Sequence, residues 1–571
     1  MSGMFTHRPA YHWTLARSLV LLGGFSGVAS GHPPPQPQPE HPIDERAEDF
    51  IHRPAGFERA GSPAVAGDDA STLSVVIRDA ATQQPAFCRV NVVGADGNYY
   101  EPEDSPLAAW SLQRLGNRLG KGPVRYLGWC FYTSGEFRVR VPHGDVRIEV
   151  WKGIEYRPLV HTLRTQTNSL LDVGLTIRRT VPMSEYGYYS GDTHIHLDRT
   201  SEADDDRALD LIAAEDLRLG FILCMNDPRT YSGLTARQMW PQDCGFGRAS
   251  IVRRGRYAIS SGQEYRCHTY GHICLLLHDH LVLEGSTVDP NNWPVFGAVA
   301  AEARQLGGFS IHAHGGYEKE IYADFAQRTT DGVELMQFAR YRGVSLEGWY
   351  QMLNAGYAFP AVGASDYPYC RLLGDCRTYV HLDEDLSFRR WGERCVEGRS
   401  FFTTGPLLLL DVDGHQPGEH IVVAGAAQQN LTVQVRVRCE VTPVTHLELI
   451  VNGKAVRRKL IPRESQQGAW FEAEESITLD ESSWIAARAF SLSPTGHTDA
   501  EAHTNPVYVD FDGRAAYVAD AVPWLLARLE QRIDVHRQRD FPEQLQVLEY
   551  FRQSRDTLLK IQREHGQAAG E

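Results

Sequence analysis

A chain of 571 residues is too long for one core and implies several domains, and 42% hydrophobic with 10% aromatic residues is a globular composition. A formal net charge of −15 argues against a nucleic-acid partner, because binding to a phosphate backbone is driven by neutralising positive charge.

Residues 1–30 have a weakly basic lead with Arg8 and Arg17, an apolar run over 18–28 and small residues Ala29 and Ser30. That is the layout of a secretory signal peptide, so the chain is expected to be exported, periplasmic or extracellular. No later stretch offers eighteen consecutive apolar residues, and no membrane partner is expected after cleavage. Residues 31–70, proline-rich at their start, read as an exposed linker. The ten cysteines permit disulfides in an exported protein, with Cys370/Cys376 one candidate pair, and none forms a Cys-x-x-Cys zinc-ribbon spacing.

Over 71–183 the apolar residues alternate: Leu73, Val75 and Ile77, then Cys88, Val90 and Val92, then Phe137, Val139 and Val141, then Val146, Ile148 and Val150. Period-two runs with Gly and Pro breaks predict a β-sandwich. The phrase Asp79-Ala-Ala-Thr-Gln-Gln-Pro85 resembles the opening of carboxypeptidase-regulatory-like sandwiches.

From 184 to 411 short apolar strands alternate with helical patterns. Strands are expected at 188–196, 220–225, 256–260, 272–277, 308–314, 332–338 and 359–364, with helices at 205–219, 292–306 and 346–355. Seven such units predict a parallel sheet in a barrel or near-barrel, and no Gly-x-Gly-x-x-Gly or phosphate loop appears at any strand end. Chemistry in such folds sits at strand ends. Those positions carry His194 and His196, Glu264, His272, His312 and His314, and Asp366. Imidazoles two apart on a strand share a face, and with carboxylates expected to converge on them they make a candidate metal chelate. Residues 412–512 read as a second β-sandwich module with a hairpin at Asn452-Gly453, and 513–571 as a charged helical tail.

Gly191-Asp-Thr-His-Ile-His196, Gly262-Gln-Glu264, Gly271-His272, Ala313-His-Gly-Gly316 and Gly363-Ala-Ser-Asp366 together resemble the motif series of PHP (polymerase and histidinol phosphatase) metallohydrolases. Arg377-Thr-Tyr-Val380 and Thr404-Gly-Pro406 resemble the CehA/McbA-type branch. The resemblance implies a distorted seven-stranded β/α barrel holding two or three divalent ions; the departures named below reduce the expectation to one or two, and a mixed imidazole and carboxylate shell suits zinc, manganese or iron. It implies metal ligands at His194, His196, Glu264, His314 and Asp366, with His312 able to replace His314 and Asp192 orienting the first pair. His272 and His268 are the candidates for general acid or substrate positioning. Two departures stand out: Cys224-Met-Asn-Asp227 has no histidine where the family has one, and Ser365-Asp-Tyr-Pro368 lacks the last one.

The expected function is metal-dependent hydrolysis of an ester-type bond (phosphoester, carboxyl or carbamate ester) in a small molecule or an exported polymer. The rival is a catalytically degenerate barrel serving as an exported binding scaffold through its sandwich modules. A glycosidase using Glu264 and Asp366 ranks last, since its mechanism has no place for the histidines.

Overall fold

The computed structural model describes residues 64–102, 104–105, 107, 130–226, 244–336, 343–368, 372–425, 428–492 and 498–568. The expected signal peptide, most of the linker, Asp227 and Cys370 lie outside them. The other nine cysteines are free thiols.

Among the described residues the first module has eight strands: β1 (Ser71–Asp79), β2 (Cys88–Val93), β3 (Tyr99–Tyr100), β4 (Phe131–Thr133), β5 (Glu136–Val141), β6 (Gly144–Trp151), β7 (Leu159–Thr165) and β8 (Leu170–Ile177). One sheet has the order β5-β1-β8; the other runs β3-β2-β6-β7, with β4 on β2. The alternation predicted from sequence is the inward face of these strands, with Leu73, Val75, Ile77, Val90, Val139 and Ile148 in one core.

The middle of the chain supplies β9 (Tyr188–Ile195), β10 (Leu219–Met225), β11 (Val252–Arg254), β12 (Tyr257–Cys267), β13 (Gly271–Leu276), β14 (Phe309–His312), β15 (Gly332–Met336), β16 (Ala361–Gly363), β17 (Arg377–His381) and β18 (Ser400–Thr403). Helices α1 (Glu202–Ala214), α2 (Phe296–Gln305), α3 (Ile321–Gln327), α4 (Leu346–Asn354) and α5 (Phe388–Val396) pack around them. Ser201, Ser345 and Ser387 cap α1, α4 and α5 by accepting a backbone N–H three residues on.

The seven strands expected from sequence correspond to β9, β10, β12, β13, β14, β15 and β16, but the sheet is mixed rather than parallel. β9, β10 and β12 pair parallel, as do β14, β15 and β16, whereas β12-β13-β14 is antiparallel. The reason is local: only residues 268–270 join β12 to β13, too few for the crossover that a parallel neighbour needs. Among the described residues the ladder does not close as a barrel. Its end strand β16 comes back beside β17, where Gly363 N–H donates to Thr378 Oγ1 and Thr378 Oγ1 donates to the Gly363 carbonyl, both at 2.9 Å.

The last β-region contains β19 (Leu407–Val412), β20 (His420–Val423), β21 (Gln429–Arg438), β22 (His446–Val451), β23 (Lys454–Leu460), β24 (Phe471–Leu479), β25 (Ser483–Leu492), β26 (Thr498–Thr504) and β27 (Val507–Phe511). It is not a free-standing module. β19-β21-β24 form one layer, and the rest continue the central sheet through the β18–β26 pairing, making sixteen strands among the described residues.

Helices α6 (Ala521–Arg537) and α7 (Gln544–Ala568) close the chain and share the core of the central region. Tyr550 Oη on α7 donates to Asp324 Oδ1 on α3 at 2.5 Å, and Gln327 Nε2 donates to Ser554 Oγ at 2.7 Å. No helix among the described residues is long and apolar enough to cross a membrane.

Candidate metal centre

β9 ends in the segment that carries His194 and His196, and alternation turns both imidazoles to one side. Their Nε2 atoms stand 3.0 Å apart. Asp366 Oδ1 lies 3.4 Å from His194 Nε2 and 3.2 Å from His196 Nε2. Glu264, on β12, places Oε1 3.6 Å from His194 Nε2 and Oε2 3.4 Å from His196 Nε2. A tetrahedral ion holding N and O ligands at about 2.0–2.1 Å sets them roughly 3.3 Å apart, so His194, His196 and Glu264 have the separations of one coordination shell, and Asp366 stands at the same spacing from both imidazoles.

The far sides of the two rings fix which nitrogen is offered. His196 Nδ1 faces the Leu223 carbonyl at 3.1 Å, a partner that only accepts. His194 Nδ1 faces both Glu334 oxygens, at 3.0 and 3.1 Å. Each Nδ1 therefore carries the hydrogen, and two Nε2 lone pairs point at each other across 3.0 Å in a buried site. That arrangement is repulsive until a cation or a proton sits between them.

Glu264 also joins a neighbouring group. Its Oε1 is 2.8 Å from His272 Nδ1 and 3.3 Å from His314 Nε2, so one carboxylate lies between His194 and His196 on one side and His272 and His314 on the other. Both sets satisfy the spacing of a metal-binding cluster, as do His194, His314 and Asp366.

Electrostatics match this reading. Burial raises the Glu264 carboxyl, but His272, His194 and His196 outweigh it and hold it well below its usual value. Asp366 is likewise lowered to about 2, burial being overcome by His194, His196 and His314. Burial depresses His194 and His196, yet neighbouring Cys274, Glu334, Asp366 and Glu264 lift His194 well above the ordinary imidazole, and Asp366 with Glu264 lift His196. His272 goes the other way, to about 4, because burial outweighs its Glu264 contact. It is neutral at pH 7.

Two ligand positions sit in unusual backbone. Asp366 has φ 49°, and His314 opens a left-handed turn in which φ is 56, 59, 60, 50 and 55° from His314 through Glu318. For non-glycine residues such angles cost about 1–3 kcal/mol each and persist where surroundings impose them. Gly343 packs directly against this turn: a Cβ on it would come within 2.1 Å of the His314 carbonyl oxygen.

The remaining predicted residues fall differently. Asp192 is buried and touches neither imidazole. Its Oδ1 accepts from the backbone N–H of His194 (3.2 Å) and Ser365 (3.0 Å), and Oδ2 from Gly374 (3.0 Å). It orients the pair by tying the His194 strand to the Asp366 loop. Burial raises this carboxyl to about 6 against those hydrogen bonds.

His312 does not join the cluster. Its Nε2 lies 3.0 Å from Asp324 Oδ2, misaligned for a hydrogen bond. The expectation that it shares a face with His314 assumed a continuing strand; β14 ends at His312 and the chain turns left-handed two residues later. His268 is exposed on the β12–β13 turn, its backbone held by Asn291 and Lys319, and belongs to none of the clusters.

Sequence reading missed Glu334 and Cys274. Glu334 accepts from His194 Nδ1 and from the His314 N–H at 3.2 Å, and Cys274 Sγ donates to it at 3.4 Å. Burial, with Glu334 adding to it, pushes the Cys274 thiol well above its usual value, so it stays protonated. A lone acid inside the otherwise apolar strand Gly332–Met336 was the available signal for Glu334.

The two departures from the PHP pattern also have structural roles. Asn226 clamps the Arg266 backbone, accepting its N–H at 2.7 Å and donating to its carbonyl at 2.9 Å. Tyr367 accepts the His196 N–H through its carbonyl at 2.7 Å.

Compared with known proteins, the chain matches no family model and no curated protein. Among solved structures, the crystal structure of PsfC from Pseudomonas syringae PB-5123 is similar over 37% of this chain and 90% of that one, at 17% identity and a TM-score of 0.24. A likeness at that level assigns neither fold nor activity.

Proposed function

We propose that this chain is an exported metal-dependent hydrolase of the PHP type, acting on an ester-type bond. One observation carries the reading: the buried His194 and His196 face each other through Nε2 at 3.0 Å, with Glu264 and Asp366 each at coordination spacing from both imidazoles. His272 and His314 would complete a second position that shares Glu264. A mixed imidazole and carboxylate shell suits zinc, manganese or iron.

A divalent ion in such a site supplies a Lewis acid for the scissile carbonyl or phosphoryl oxygen and lowers the pKa of water toward neutrality. The protein's part is to hold the donors. Glu334 fixes the ring of His194, the Leu223 carbonyl fixes His196, and Asp192 joins the two backbone segments that carry ligands. If the second position is left open, His272, neutral at pH 7 and in contact with Glu264, would orient substrate beside the metal.

The test is metal analysis of purified protein, alongside a His194→Ala/His196→Ala double variant. Stoichiometric metal in the parent and none in the variant, with hydrolysis of at least one member of a phosphoester, carboxyl ester and carbamate panel, supports the proposal. A folded parent that takes up no added zinc, manganese or iron would sink it and leave the scaffold reading.

A further inference from the structure

We infer that the N-terminal β-module is a positioning element of the metal centre, acting through Tyr132 and Glu215; this rests on the metal-site reading above. Tyr132 lies on β4, and Glu215 follows α1 directly. Tyr132 Oη donates to Glu215 Oε1 at 2.8 Å, and Arg89 of β2 forms an ion pair with the same oxygen at 2.9 Å.

From there a line of hydrogen bonds, carried through the main chain of Glu215 and of Gly374, leads to the ligands. The Glu215 carbonyl accepts from Arg377 Nη2 at 3.0 Å, and Arg377 Nε donates to the Gly374 carbonyl at 2.6 Å. Gly374 N–H donates to Asp192 Oδ2 at 3.0 Å, and Asp192 Oδ1 holds the backbone of His194 and of Ser365, the residue before Asp366. Every side chain in this line is at most 5% exposed, so water does not compete for the bonds. Gly374 is required where it stands: φ is +64°, and a Cβ would lie 2.6 Å from Leu217 and 3.0 Å from Arg377 Nη2.

Packing supplies a second connection. The Tyr132 ring shares a buried cluster with Ile195 and Tyr367. Ile195 separates the two histidines, Tyr367 follows Asp366, and the two are bridged to each other. One tyrosine of the N-terminal module thus reaches the ligand-bearing backbone by hydrogen bonds and by apolar contact. The accessory module is in this sense a part of the site.

The experiment compares zinc affinity and thermal midpoint in the full chain, in Tyr132→Phe, in Glu215→Gln and in Arg157→Gln. Arg157 anchors the same module elsewhere, through Glu440 at 2.9 Å, and has no link to Asp192. Outer partners of metal ligands typically change affinity by 10- to 100-fold, and a more remote line should give about three- to tenfold weaker zinc in the first two variants and none in Arg157→Gln. Parental affinity in both Tyr132→Phe and Glu215→Gln overturns the inference, as does an equal loss in Arg157→Gln, which would mean module docking in general. A parent that binds no zinc, manganese or iron removes the metal reading and this inference together, whereas a metal-binding parent with unaffected variants removes this inference alone.

Discussion

Glu334→Gln is the most direct probe of how the site is held. The carboxylate meets three donors: His194 Nδ1 at 3.0 and 3.1 Å, the His314 N–H at 3.2 Å and Cys274 Sγ at 3.4 Å. A glutamine keeps the shape but offers one oxygen, so its NH2 must face at least one of these donors in a fully buried position. It also removes the charge that makes His194 Nε2 more basic. Losing a carboxylate behind a metal-bound histidine costs about 10- to 100-fold in affinity. That is roughly 1.4–2.7 kcal/mol. Competition with a chelator of known zinc affinity reads this directly, and Glu334→Asp, which keeps the charge but shortens the reach, should fall between the two. Zinc affinity within twofold of the parent in Glu334→Gln, with His196→Ala abolishing binding, would refute the assignment of Nε2 as the ligand atom of His194.

Four further outcomes are expected. Because the carboxylates raise the proton affinity of His194 and His196 in the metal-free site, zinc must displace a proton, and its apparent association constant should fall about tenfold per pH unit on acidification; a pH-independent affinity between pH 8 and 6 would contradict this. Gly343→Ala pushes on the His314 carbonyl and should weaken zinc binding and lower the thermal midpoint together, by on the order of 1–3 kcal/mol in stability. His278 and His503 are buried and lowered to about 4, so the folded state binds fewer protons than the unfolded one between that value and 6.5. Stability is therefore full above about 6.5 and declines as pH falls, by about 1.4 kcal/mol per unit for each residue; denaturant melts from pH 7 to 4 on the parent and on His503→Gln, which removes one of the two titrations, measure this slope. Tyr550→Phe leaves Asp324 Oδ1 without its 2.5 Å donor and should cost about 1–3 kcal/mol without changing zinc affinity; an unchanged melting curve would deny α7 its anchoring role.

How far the sequence reached depended on whether a residue's neighbours were set by a period. His194 and His196 were legible because a strand repeats every two residues. The seven strands were legible because each is an apolar run between breaks, as in Leu219–Met225 and Gly332–Met336. Direction was not legible: helical segments between strands suggested a parallel sheet, and the three-residue turn at 268–270 makes β12 and β13 antiparallel. That same turn sets Arg266 opposite His272 and Glu264 opposite Cys274, which brings His272 Nδ1 to Glu264 and Cys274 to Glu334. His312 fails for the converse reason, since the period it relied on stops where the left-handed turn begins.

The departures from the PHP pattern bear on function through the same physics. Against the PHP-like motif series, Cys224-Met-Asn-Asp227 and Ser365-Asp-Tyr-Pro368 are the two segments that lack an expected histidine. Asn226 uses both ends of its amide on the Arg266 backbone, two residues beyond Glu264 on the same strand. Tyr367 uses its carbonyl on the His196 backbone. The Asn226 side chain and the Tyr367 main chain therefore support the backbone of the segments that carry Glu264 and His196. With His194 and His196 facing each other through Nε2 across 3.0 Å, these supports hold a pair that needs a proton or a cation between its rings, and zinc binding at this site competes with that proton.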